Sequence, residues 1–221
     1  MADSIEQALE SALVGRFHIG QILVQKTADG FALCHRDDQA RDDLRTFWNT
    51  EGALDIAKYD DAGNYRPLKT APNLRHGWRM ELGTWEELKC ALDYFYPGRL
   101  GVFVAWKSGQ LRTTSLRETL NRQSGMYRVA AKISDDQIDN VVGDFCRSSG
   151  GCLRTILWRR DQRGTIASTK LPKEKFDPTS DQGDALGEPV STIPATIPLL
   201  CQEPCNLLVS ECRKVVKMTN D

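Results

Sequence analysis

Apolar residues recur at two different spacings along this chain, and the switches between them predict its elements. Ile5, Ala8, Leu9, Ala12 and Leu13 fall at helical spacing, so 4–13 reads as a helix. The run 17–25 reads as a strand, Ala28, Asp29 and Gly30 as a turn, and 31–35 as the strand that completes a hairpin. The charged stretch 37–48 is expected to be a short helix, and 53–59 a second strand. Thr84 followed by Glu87 is a capping-box signature, so a helix runs from Trp85 to the stop at Pro97 and Gly98. The apolar run 100–106 reads as a strand, and Lys107 to Gln110 turns it into 111–114. Ser115 and Ser134 are expected to cap helices through Asn121 and to about Cys146, with a strand at 126–133 between them. The last strand is 153–158.

Beyond it the character changes. Residues 164–198 hold five of the nine prolines among Gly, Ser, Thr and Asp, which reads as a long loop. Pro204 suits the start of a final helix over 206–217, whose last turns carry Arg213, Lys214 and Lys217, the sign a helix C-terminus favours. This order predicts an α+β fold, with a mixed or antiparallel sheet, packed helices and a cysteine-rich C-terminal metal-binding region. The expected division is an N-terminal portion 1–135 and a cysteine-rich portion 136–221, continuous with it.

The 221 residues are enough to bury a core, and the 40% hydrophobic and 27% charged content is that of an ordinary globular protein. A formal net charge of -1 argues against a general nucleic-acid or membrane-surface binder. No stretch approaches a membrane span, and the acidic first ten residues do not resemble a secretory signal, so a cytoplasmic protein is expected.

Seven cysteines change the picture. Cys34 and Cys90 are isolated, and both read as core residues; the other five follow from Cys146. An odd number in a reducing compartment points to metal ligands or reactive thiols rather than to disulfides. Cys146 and Cys152 flank five small or flexible residues, which lets the chain bend and brings two thiolates onto one centre. Cys201 and Cys205 flank Gln202, Glu203 and Pro204, a gap that suits a loop entering a helix. Soft thiolates select zinc or iron–sulfur clusters over hard cations, and a Cys₄ set suits either. Tight zinc knuckles have two-residue gaps, so the spacing favours a [4Fe–4S] cluster over structural zinc. Cys212 lies two turns beyond Cys205, about 10 Å along the helix, and reads as a buried thiol.

The stretches 65–74, 117–119 with 122–127, 152–158 and 203–208 resemble the C-terminal iron–sulfur domain of CbiX-like proteins, which are related to sirohydrochlorin cobaltochelatases. The resemblance runs from about Phe17 to Lys217. It implies a [4Fe–4S] cluster held by Cys146, Cys152, Cys201 and Cys205, and a role beside a tetrapyrrole-metabolism or redox partner protein. It does not carry over chelatase activity. The chelatase half and its histidine constellation have no counterpart, for His18, His35 and His76 are scattered.

Other chemistry has little support. No nucleophile elbow, P-loop, dinucleotide-binding glycine pattern or H-E-x-x-H is present. An interaction module built on structural zinc stays open, as does an enzyme using Cys212 or Cys205 as a reactive thiol. The arginines between Arg112 and Arg163 read as a solvated surface balanced by acids, or as cations near an anionic cluster. Trp158 reads as a sheet core residue that also shields the cluster.

Overall fold

The computed structural model describes residues 7, 15–66, 73–122, 125–147, 152–161 and 195–219. Apart from Gln7, the expected helix 4–13 lies outside them, as does all of the loop 164–198 except its end. The chain divides into two compact units, Met1–Gln110 with Pro178–Leu199, and Leu111–Asp177 with Leu200–Asp221.

The first unit is built on a six-stranded mixed sheet. Strands β1 (Arg16–Ile19), β2 (Ile22–Thr27) and β3 (Gly30–His35) form an antiparallel meander, and β5 (Trp78–Leu82) pairs antiparallel with β3. The short edges β4 (Arg45–Phe47) and β7 (Ala195–Ile197) pair parallel with β5 and β1, giving the order β4-β5-β3-β2-β1-β7. The expected strand 17–25 is therefore two strands, broken at Gly20, whose φ of 57° only glycine adopts freely. A Cβ there would overlap the Tyr96 ring, whose hydroxyl accepts a hydrogen bond from Gln21 N at 2.9 Å.

Alternation along the strands decides which face is buried. Phe17, Val24, Leu33 and Met80 lie in one cross-strand row and are all at most 2% exposed. Helix α2 (Trp85–Phe95) meets this face, with Trp78 stacked on Phe95 at 5.2 Å and the Phe31 and Trp85 rings tilted against each other at 4.6 Å. Its predicted capping box is present: Glu87 N donates to Thr84 Oγ1 at 3.2 Å and Thr84 N to Glu87 Oε2 at 3.1 Å.

Four expectations are overturned. Residues 53–59 are not a strand but belong to helix α1 (Glu51–Lys58), where Ala53, Ile56 and Ala57 are all buried at helical spacing. The apolar run 100–106 is helix α3 (Arg99–Lys107), because Leu100, Val102 and Phe103 are the residues it buries. The stretch 126–133 falls largely within a 3₁₀ helix, Gly125–Lys132. The charged stretch 37–48 is not a helix: a 3₁₀ turn (Arg36–Asp38) is followed by β4, and the Asp38 carboxylate accepts from Gly77 N instead.

His35 is expected to make this unit acid-sensitive. It is fully buried, and burial, helped by neighbouring His76, pushes its pKa down to about 4. The unfolded chain takes up that proton near pH 6.5, so stability is complete above this value and is lost as pH falls towards 4. The urea midpoint of the chelator-treated protein should fall across that window, and His35→Gln should flatten the slope. A pH-independent midpoint in the parent protein would remove histidine as the cause.

The second unit contains helices α4 (Leu116–Arg122), α5 (Asp135–Val142) and α6 (Asn206–Thr219), and the two-stranded parallel sheet of β6 (Thr155–Ile156) and β8 (Leu200–Cys201). The expected strand 153–158 shortens to its two central residues. Among the described residues, no helix is long and apolar enough to cross a membrane.

Candidate metal centre

Four local devices bring the cysteines of the second unit towards its core. Helix α5 starts at the expected Ser134 cap, with Gln137 closing the box (3.2 and 3.0 Å), and ends in a single π turn, Gly143–Arg147. That turn carries Cys146, which is 9% exposed and belongs to the same apolar cluster as Trp158, Cys201 and Cys212. Cys152 is half-buried and precedes β6. Pairing of β6 with β8, Ile156 against Cys201, ties the segment after Cys152 to Cys201. Cys205 stands at the N-cap of α6, with Val209 N donating to its carbonyl at 3.1 Å.

The sulfurs already accept hydrogen bonds. Trp158 Nε1 donates to Cys201 Sγ at 3.3 Å, Arg154 N to Cys152 Sγ at 3.5 Å, and Leu208 N to Cys205 Sγ at 3.5 Å. Donors of this kind stabilise thiolate charge. Burial raises the pKa of Cys201, and the Cys152 and Cys205 thiols raise it further, while the Trp158 indole and the Arg154 cation act in the opposite direction. Cys152, Cys201 and Cys205 thus share one electrostatic neighbourhood. Cys146 lies in the same apolar cluster as Cys201, with Cys205 packed against it.

The sulfurs are not drawn to a single point. Four thiolates on one tetrahedral ion, at about 2.3 Å each, would lie about 3.8 Å apart. Among the described residues, no three cysteine sulfurs come within 4.8 Å of one another.

Cys212 is fully buried, and that burial pushes its pKa up to about 11. A thiol held protonated in this way makes a poor nucleophile at neutral pH. The arginines are not one solvated surface. The Arg117 guanidinium donates to the Ala131 and Ile133 carbonyls and to Asp135, and Arg160 pairs with Asp139 at 3.2 Å with both side chains mostly buried.

One grouping is not visible in the sequence. In the first unit, His35, Asp38 and His76 each offer a ligand atom, all within 4.8 Å of one another. The i, i+3 spacing of His35 and Asp38 is half of the signal; His76 arrives through the pairing of β3 with β5.

Comparison with known proteins divides the chain at nearly the same place as its contacts do. Residues 4–108 match the DR2241 stabilising domain, and residues 108–214 match a 4Fe-4S iron-sulfur cluster binding domain. No curated protein matches the chain. Among solved structures, the chain is similar to DR2241 from Deinococcus radiodurans, a multi-domain protein with structural similarity to chelatases and two additional novel domains. The TM-score is 0.71 at 26% identity over 98% of this chain. The chain spans 42% of that protein's length. It therefore joins a segment similar to the DR2241 stabilising domain to one similar to the 4Fe-4S iron-sulfur cluster binding domain, and the resemblance to a chelatase-associated iron–sulfur domain holds.

Proposed function

We propose that this protein holds one [4Fe–4S] cluster in its second unit through Cys146, Cys152, Cys201 and Cys205, and that it serves a tetrapyrrole- or cobalamin-related chelatase or a redox partner. The observation that carries the reading is Cys201: buried, near enough to Cys152 and Cys205 to feel their charge, and accepting an indole N–H, within the segment that matches the cluster-binding family. The donor set fits the group. Thiolates are the ligands iron–sulfur clusters take, and a core of four irons accommodates sulfurs spread more widely than a single zinc ion does.

When bound, the cluster would supply one-electron redox chemistry or a fixed inorganic staple. The chain's own residues provide the setting. Trp158 excludes water and donates to Cys201, while the backbone N–H groups of Arg154 and Leu208 support Cys152 and Cys205. The free thiols of all seven cysteines suit a reducing compartment such as the cytoplasm.

Anaerobic reconstitution with iron and sulfide, followed by analysis of iron, sulfide and zinc, tests this. About four irons and four sulfides per chain are expected, with broad absorption near 400 nm in a brown solution. One tightly held zinc and no iron uptake would defeat it.

A further inference from the structure

The first unit places a second set of ligand side chains far from any cysteine in sequence, except for Cys34 next to His35. His35 ends β3, Asp38 ends the 3₁₀ turn that follows, and His76 precedes Gly77 at the entry to β5. The antiparallel register Cys34 against Arg79 brings these ends together. His35 is fully buried and Asp38 is 3% exposed, whereas the His76 side chain is 33% exposed and opens the group to solvent.

The distances suit an ion. Asp38 Oδ1 lies 3.2 Å from His76 Nδ1. Two ligands on a tetrahedral ion, at about 2.0–2.1 Å each, stand about 3.3 Å apart. Gly77 N donates to the other Asp38 oxygen at 2.7 Å, which fixes the carboxylate plane. The two imidazole rings lie 3.8 Å apart between centroids, nearer than two imidazoles on one tetrahedral ion, so the partly exposed His76 ring turns outward on binding. His35 Nδ1 accepts from Asp37 N at 3.2 Å, and its Nε2 is a buried nitrogen with no hydrogen-bond partner. A metal on Nε2 would give that atom its partner and move the ring proton to Nδ1, which then exchanges the bond from Asp37 N for one to the Asp37 carboxylate, 3.7 Å away.

We propose that His35, Asp38 and His76 bind one divalent first-row transition-metal ion of the zinc class, with its fourth position open beside His76. Two imidazoles and one carboxylate favour such an ion over calcium or magnesium, which take all-oxygen sets. Arg41 Nη1 also reaches Asp38 Oδ1 at 3.2 Å, but its Nε and Nη2 already hold Asp43 at 2.9 and 2.8 Å. Arg41 can therefore release the Asp38 oxygen and keep a partner.

Titration of the full chain with Co²⁺ tests the site. The result expected is one equivalent, beyond any cobalt held by the cysteines, with the visible d–d bands of a four-coordinate ion and no added near-ultraviolet thiolate-to-cobalt band, displaced by Zn²⁺. His76→Ala, at a partly exposed position, should weaken this binding by about 100-fold or more while leaving the metal-free circular dichroism unchanged. Asp38→Asn should weaken it likewise. Three outcomes overturn the proposal: no cobalt bound at millimolar metal, only cobalt that shows thiolate charge transfer, or unchanged affinity in His76→Ala. The cluster reading is untouched by each of them, since it rests on the other unit.

Discussion

Cys201→Ser should abolish cluster binding, and Cys212→Ser should leave it intact. Cys201 is the proposed ligand with the most structure built around it. It is 7% exposed, accepts the Trp158 indole N–H, and feels the charge of Cys152 and Cys205. A serine oxygen is a harder ligand and its hydroxyl a far weaker acid, so iron would lose a soft thiolate ligand at a site that water cannot easily fill. Cys212 differs in placement rather than in chemistry. Seven residues along α6 from Cys205 is about 10 Å, a step too long for both sulfurs to reach one compact core easily. Its complete burial means that Cys212→Ser puts a hydroxyl among apolar side chains, and a stability loss of about 1 kcal/mol is expected while the iron stays. Iron and sulfide content after identical anaerobic reconstitution separates the two. Full iron in Cys201→Ser, or equal loss in both variants, would mean that the ligand set is misassigned.

The proposed cluster site is legible in the sequence as two cysteine pairs and a tryptophan, because soft ligands at short spacing are a local signal. The hairpin of β2 and β3 and the capped starts of α2 and α5 were legible for the same reason: a turn glycine, or a Ser/Thr with Glu/Gln three residues on, acts within one turn of chain. The apolar runs were not. In 53–59 and 100–106, alternation and helical spacing both fit over so few residues, and only burial of Ala53, Ile56 and Ala57, or of Leu100, Val102 and Phe103, chooses between them. The His35, Asp38 and His76 group depends on pairing between strands that are distant in sequence, to which no local pattern points. The roles of Arg117 and Arg160 are hidden from the sequence for a related reason, while Arg154 acts on Cys201 as a cation beside the proposed cluster ligands. Whether a guanidinium is solvated or clamps backbone depends on where the following helix returns.

Arg117 makes that difference measurable. It projects from α4, and its fork spans three acceptors: Nη1 donates to the carbonyls of Ala131 and Ile133 at 3.2 and 3.1 Å, and Nη2 to Asp135 Oδ1 at 2.6 Å. The carbonyls close the 3₁₀ helix and the link after it, and Asp135 opens α5, so one side chain joins three consecutive elements of the cluster-binding unit. The carboxylate is more than half exposed, so the ion pair itself adds at most about 1 kcal/mol. The two carbonyls add more, because without the guanidinium they must find water in a partly covered place, at about 1 kcal/mol each. Arg117→Ala should therefore cost about 2–3 kcal/mol, a fall in melting temperature of roughly 10–20 °C for a unit of this size. Arg117→Lys keeps the charge but not the planar fork, and should recover about half of that loss. Thermal melts of the three proteins, at low and high salt, decide the matter. A surface charge would change stability by less than about 0.5 kcal/mol. Full rescue by lysine would assign the effect to the ion pair, whereas partial rescue that is insensitive to salt is what a backbone clamp requires.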